Sequence, residues 1–143
     1  MFSTVAVGTD GSGTASEAVR AAADLARRYG AKVVLLSAFH ERGWAPRAAN
    51  EPEDIERQWS WSPSSRVREI LGRTEEDLRS QGLECRTLVD EGDPADVLVR
   101  LAEECGADVL VIGNKGMHRR VIGSVPNSVT HRAPCSVLVV KTT

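Results

Sequence analysis

Between residues 113 and 124 the chain reads GNKGMHRRVIGS: Gly113 and Gly116 lie three apart, Gly123 and Ser124 close the stretch, and Lys115, His118, Arg119 and Arg120 fall between. These residue types suit an anion. Phosphate oxygens need several convergent N–H donors, and glycine lets the backbone approach without a Cβ in the way. Lys115, Arg119 and Arg120 add charge and Ser124 a hydroxyl. A helix beginning at Gly123–Ser124 would present free N–H groups and the positive end of its dipole. On spacing alone a solvated connection between strand and helix reads equally well. The stretch is not a P-loop, because G-x-x-x-x-G-K-[ST] occurs nowhere in the 143 residues.

A second glycine-bearing turn, GTDGSG, spans residues 8–13. Its carboxylate, Asp10, suits ribose hydroxyls or a metal in a crevice, and suits an Asx turn or helix cap as well. The run GSGTAS (11–16) nearly spells the dinucleotide fingerprint, with Ser16 in place of the third glycine. Glu41, the acid that would reach a ribose, lies farther on than that fingerprint places it. No G-x-S-x-G elbow and no His/Cys spacing of a zinc site is present, so the residues favour binding over turnover. Cys85, Cys105 and Cys135 are odd in number, lack C-x-x-C spacing and sit in or beside apolar runs. That predicts buried reduced thiols, with redox sensing as the alternative.

Positioning these loops falls to an alternation of strands and helices. TVAVG (4–8) is a short β-branched strand, and Ala15 to Tyr29 repeat at helical spacing up to Gly30. AKVVLLSAF (31–39) is apolar without alternation, as a strand covered on both faces should be. Val67, Ile70, Leu71, Thr74 and Leu78 write a second helix, stopped by Gly82, and LECRTLV (83–89) reads as a strand nearer an edge. In GDPADVLVRLAEECG, Asp93 is a candidate N-cap with Pro94 in the first turn and Gly106 after the end. ADVLVIG (107–113) is another buried strand, GSVPNSVTHRA a short helix and CSVLVVK (135–141) the last strand. The order β-α-β-α-β-α-β-α-β predicts a doubly wound α/β domain, with five parallel strands and helices on both faces. In such sheets ligands sit outside the C-terminal strand ends, where the winding reverses. Both glycine-bearing loops leave such ends.

The 41% hydrophobic and 27% charged fractions and a net charge of −2 describe an ordinary globular chain, read here as one domain over 1–143. A near-balanced charge argues against nucleic acid, and no apolar run approaches the length of a membrane span. The start MFSTVAVGTDGSG does not read as a secretory signal, so cytoplasmic residence is expected. The 24 residues from His40 to Pro63 break the pattern, with Pro46, Pro52, Pro63 and all of Trp44, Trp59 and Trp61. Such an insertion is a surface excursion, a flap over a ligand or a contact for a partner protein.

TVAVGTDGS at the start, GDPADVLVRLAEECGADVLVIGNKGM in the middle and GSVPNSVTHRAPCSVLVVK at the end, in that order, resemble the universal stress protein family, especially its actinobacterial members. The resemblance implies strand order 3-2-1-4-5 and, in the ATP-binding branch, a nucleotide held in the crevice. Gly113, Gly116, Gly123 and Ser124 match the fixed positions of that branch's glycine pattern, with Asn114, Lys115 and Val125 beside them. Thr9 and Asp10 match the end of the first strand and its acid, Ala38 falls where backbone groups read adenine, and Gly92 and Asp93 border the pocket. Six residues, Met117 to Ile122, separate Gly116 from Gly123, where the family pattern has nine. The shorter arm leaves ATP, AMP and cyclic AMP all open, with Mg²⁺ as an optional companion. The resemblance further implies a homodimer through residues 136–140, acting as a stress sensor or modulator. A weak ATPase with Asp10 placing the metal, and a ligand-free interaction module, are the alternatives.

Overall fold

In a computed structural model the protein is described over residues 1–9, 13–39, 64–114 and 124–141, with only the backbone of 13–15. Five strands, β1 (Thr4–Gly8), β2 (Lys32–Phe39), β3 (Cys85–Glu91), β4 (Val109–Asn114) and β5 (Ser136–Lys141), form one sheet in the order β3-β2-β1-β4-β5. Every pairing is parallel. Among the described residues four helices alternate with them: α1 (Gly13–Tyr29), α2 (Ser64–Ser80), α3 (Pro94–Glu104) and α4 (Ser124–Arg132). The expected fold class and strand order are both present. Among the described residues no helix is long and apolar enough to cross a membrane.

Two cores sandwich the sheet because strand side chains alternate between its faces. Val5, Val7, Val33, Leu35, Val109 and Val111 pack with Ala22 and Ala26 of α1 and Val67 and Leu71 of α2. Their neighbours Ala6, Val34, Leu36, Leu110 and Ile112 face the other way, onto Leu98 and Leu101 of α3 and Val129 of α4. The continuous apolar runs of β2 and β4 follow from this double burial. Among the described residues β3 and β5 are each paired along one edge, and their residues are correspondingly more exposed.

Three strands start one or two residues later than their apolar runs suggest, for one reason. After α2, Gly82 adopts φ +87°, its N–H donates to Arg79 O (3.0 Å), and the Leu83 N–H turns back to Leu78 O (3.1 Å). Leu83 therefore closes the helix through a Schellman motif instead of opening β3. The same backward bond ties Ala31 to Ala26 and Ala107 to Ala102, which delays β2 to Lys32 and β4 to Val109. Asp93 caps α3 as expected, its carboxylate accepting the Asp96 N–H at 3.2 Å, with Pro94 in the first turn.

Candidate functional site

The winding reverses between β1 and β4. β1 connects through α1 to β2 and then by α2 to β3, whereas the next crossover carries the chain back past β1 to β4. Among the described residues, β1 pairs with β4 only from Val5↔Val109 to Val7↔Val111. Beyond that point the strands go to different partners. β1 keeps pairing with β2 to Gly8↔Leu36, and the Thr9 N–H still donates to Leu36 O at 2.9 Å. β4 keeps pairing with β5 as far as Asn114↔Lys141. The gap between these two pairs of strands is the crevice mouth.

Polar side chains are buried around this mouth. Among the described residues four polar ones are buried: Thr4, Thr9, Ser37 and Asn114. Thr4 opens β1 at the far end, while the other three stand at the C-terminal ends of the central strands β1, β2 and β4. Their collection makes this edge the polar end of an otherwise aliphatic sheet. Ser37 was not singled out from the sequence. Its signal was a lone hydroxyl inside the apolar run KVVLLSAF, a feature shared with many half-buried strands.

Ala38 is buried on the end of β2, in register with Asp90, and the Gly92 N–H donates to Phe39 O at 3.2 Å. That bond folds the β3–α3 turn over the end of β2 and brings Gly92 and the capping Asp93 to the same edge. Gly113 is half-buried at the end of β4, and α4 starts at Ser124, exposed, with Val125 buried beneath it. Thus Thr9, Ala38, Gly92, Gly113, Asn114, Ser124 and Val125 all occupy the C-terminal side of the sheet. Asp10, Lys115, Gly116, Arg119, Arg120 and Gly123 lie outside the described residues, as does the 40–63 insertion with its tryptophans.

Charge near this edge is held in pairs. Asp90 accepts the Glu91 N–H (2.8 Å) and the Arg100 guanidinium (2.6 Å), which together hold its carboxyl below the ordinary range. Arg132 of α4 bridges to Asp96 of α3 at 2.6 Å, joining the two helices that flank the crevice on one face. Among the described residues no group of three or more His, Cys, Asp or Glu is placed to hold a metal. The thiols are free; Cys85 and Cys105 are buried, Cys135 partly so.

Comparison with known proteins gives a consistent set of likenesses. The sequence model of the Universal stress protein family matches residues 1–141. A universal stress protein of Mycobacterium tuberculosis is 38% identical over 148 residues, covering 99% of this chain and 98% of that protein. A crystal structure of a universal stress protein in complex with cAMP superposes with a TM-score of 0.74 at 31% identity, covering 99% of both chains. The same fold is seen in the Archaeoglobus fulgidus universal stress protein in complex with dAMP, with a TM-score of 0.66, 24% identity and 96% coverage of each chain.

Proposed function

This chain belongs to the universal stress protein family, and on that premise we propose that it binds an adenine nucleotide in the crevice between β1 and β4. The observation that carries the reading is the burial of Thr9 and Asn114 where those two strands part. They stand at the C-terminal strand ends beside the point where the winding reverses, the place where open α/β sheets receive ligands. The cAMP complex of a relative 31% identical to this chain supports the same class of ligand. In this reading Gly113, Gly116, Gly123 and Ser124 cradle phosphate, with Asn114, Val125, Lys115, Arg119 and Arg120 around them. Thr9 and Asp10 approach ribose and phosphates, while Ala38 and Gly92 border the base.

Cyclic AMP and ATP are the two leading ligands, and the short span between Gly116 and Gly123 favours the smaller phosphate group. A shortened arm supplies fewer backbone N–H donors, so a single phosphate is served better than three. The protein then acts as a cytoplasmic sensor or modulator whose nucleotide-bound form is read by a partner. Homodimerisation through the outer edge of β5 belongs to the same proposal. Among the described residues that edge has no strand partner, and Leu138 on it is 41% exposed.

Calorimetric titration with cAMP, AMP and ATP, with and without Mg²⁺, tests the site. Saturable binding near one nucleotide per chain is expected, with at least a tenfold loss in Gly113→Ala and in Asp10→Ala. Unchanged affinity in both variants would remove the site assignment, and no binding of any adenine nucleotide would leave the family's ligand-free interaction reading.

A further inference from the structure

On the sheet face opposite α3 and α4, a groove of about 480 Å³ runs between α1 and α2 and, among the described residues, meets the crevice at Thr9. Its floor is aliphatic: Ala23 and Leu78 are buried and Val19 half-buried. Its rims are cationic. Arg20 and Arg27 lie seven residues apart on α1, hence on one stripe of the helix, and Arg73 lines the α2 side.

The three arginines are held differently. Arg27 donates to the Gln81 side-chain carbonyl, and the Gln81 amide donates to Asp77 at 3.1 Å. This chain of bonds ties the C-terminal ends of the two helices together and engages Asp77, the one carboxylate lining the groove among the described residues. Among the described residues, Arg20 and Arg73 are held by exposed pairs on their own helices, Glu17 at 3.1 Å and Glu69 at 2.7 Å. Such pairs are weak, so these guanidinium groups can turn toward a ligand at little cost. Arginine forks match carboxylate and phosphate oxygens, and the volume is that of a small-molecule pocket.

We propose that this groove binds a small organic anion with an aliphatic body. The body lies along Val19, Ala23 and Leu78, and a carboxylate or phosphate head is gripped by Arg20 and Arg73. The site adjoins the nucleotide crevice at Thr9, but its arginine grip does not rest on that reading.

The probe is 1-anilinonaphthalene-8-sulfonate, whose fluorescence rises on apolar contact, titrated into the full chain. Saturable binding near one probe per chain is expected, displaced by dodecanoate or dodecyl phosphate and indifferent to saturating cAMP or ATP. Whichever of the two competitors displaces at lower concentration identifies the head group. In the double variant Arg20→Gln/Arg73→Gln the affinity should fall at least tenfold with far-UV circular dichroism unchanged. Absence of saturable binding, equal affinity in the double variant, or displacement by nucleotide would each overturn the proposal. Binding that appears only when residues 44–61 are replaced by a glycine-serine linker would also overturn it, by assigning the groove to the chain's own segment.

Discussion

At Gly92 the backbone takes φ +139°, and a Cβ placed there would stand 3.3 Å from Val97 Cγ2. Both facts oppose any side chain, and Gly92→Ala should cost about 1–3 kcal/mol of folding stability. Next to it, Asp93→Ala removes the α3 cap and should cost about 1 kcal/mol. Urea unfolding of each variant checks both, and a neutral Gly92→Ala would show that the turn relaxes freely. The thiols illustrate burial at the same scale. Cys85 is pushed from 9.0 up to about 11, first by burial and then by the Glu75 carboxylate. Cys105 and Cys135 are raised as well, chiefly by burial. Few thiolates therefore exist near neutral pH, and alkylation should be slow for all three. Mass spectrometry of partially alkylated native protein should find Cys135, the most exposed, modified first; early labelling of Cys85 would contradict its buried place.

Elements are joined by contacts between residues far apart in sequence. Asp108, just before β4, accepts the N–H groups of Ser3 (2.8 Å) and Thr4 (2.9 Å) and returns its own N–H to Thr4 O (2.9 Å). These donors, Thr4 first, hold its carboxyl below the ordinary 3.8. A carboxyl with a lowered folded pKa stabilises the fold above its unfolded value, and that contribution is lost as pH falls through the folded value. The N-terminal segment should therefore loosen in acid below about pH 4. Amide exchange at Ser3 and Thr4 against pH reads this directly. Asp108→Asn should exchange faster at neutral pH and lose the acid step, whereas an unchanged profile would remove the carboxylate's role. β5 belongs to this scale too. If its outer edge forms the proposed dimer, Leu138→Asp should yield monomer by sedimentation without loss of helix content, and a dimer that survives would place the interface elsewhere.

For the whole molecule, the proposed nucleotide binding should be linked to stability. A ligand that binds only the folded state adds about 2.7 kcal/mol at a concentration one hundred times its dissociation constant. Thermal unfolding with saturating cAMP should thus shift upward by several degrees, and the shift should fall by about half or more in Gly113→Ala. A dodecanoate-class ligand in the proposed α1–α2 groove should add its own increment, because Arg20 and Arg73, which would grip its head, lie on α1 and α2 and not at the strand ends.

Much of this architecture is legible along the chain because its signals are local. Apolar runs, helical spacing, the Asp93–Pro94 start and the glycine stops depend on residues a few positions apart, and they determined five strands, four helices and their order. The resemblance to a family then supplied the strand order that periodicity does not contain. Other features depend on contacts between distant segments. The parting of β1 from β4 arises where residues about a hundred positions apart cease to pair. The burial of Thr9, Ser37 and Asn114 together needs three separate strands to end side by side. Backward bonds at Ala31, Leu83 and Ala107 cut short runs that look fully extended in sequence, since an apolar residue serves a helix cap as readily as a strand. The arginine-rimmed groove belongs wholly to the tertiary structure: Arg20 and Arg73 read in sequence as ordinary solvated charges, and only the packing of α1 beside α2 sets them around one apolar floor.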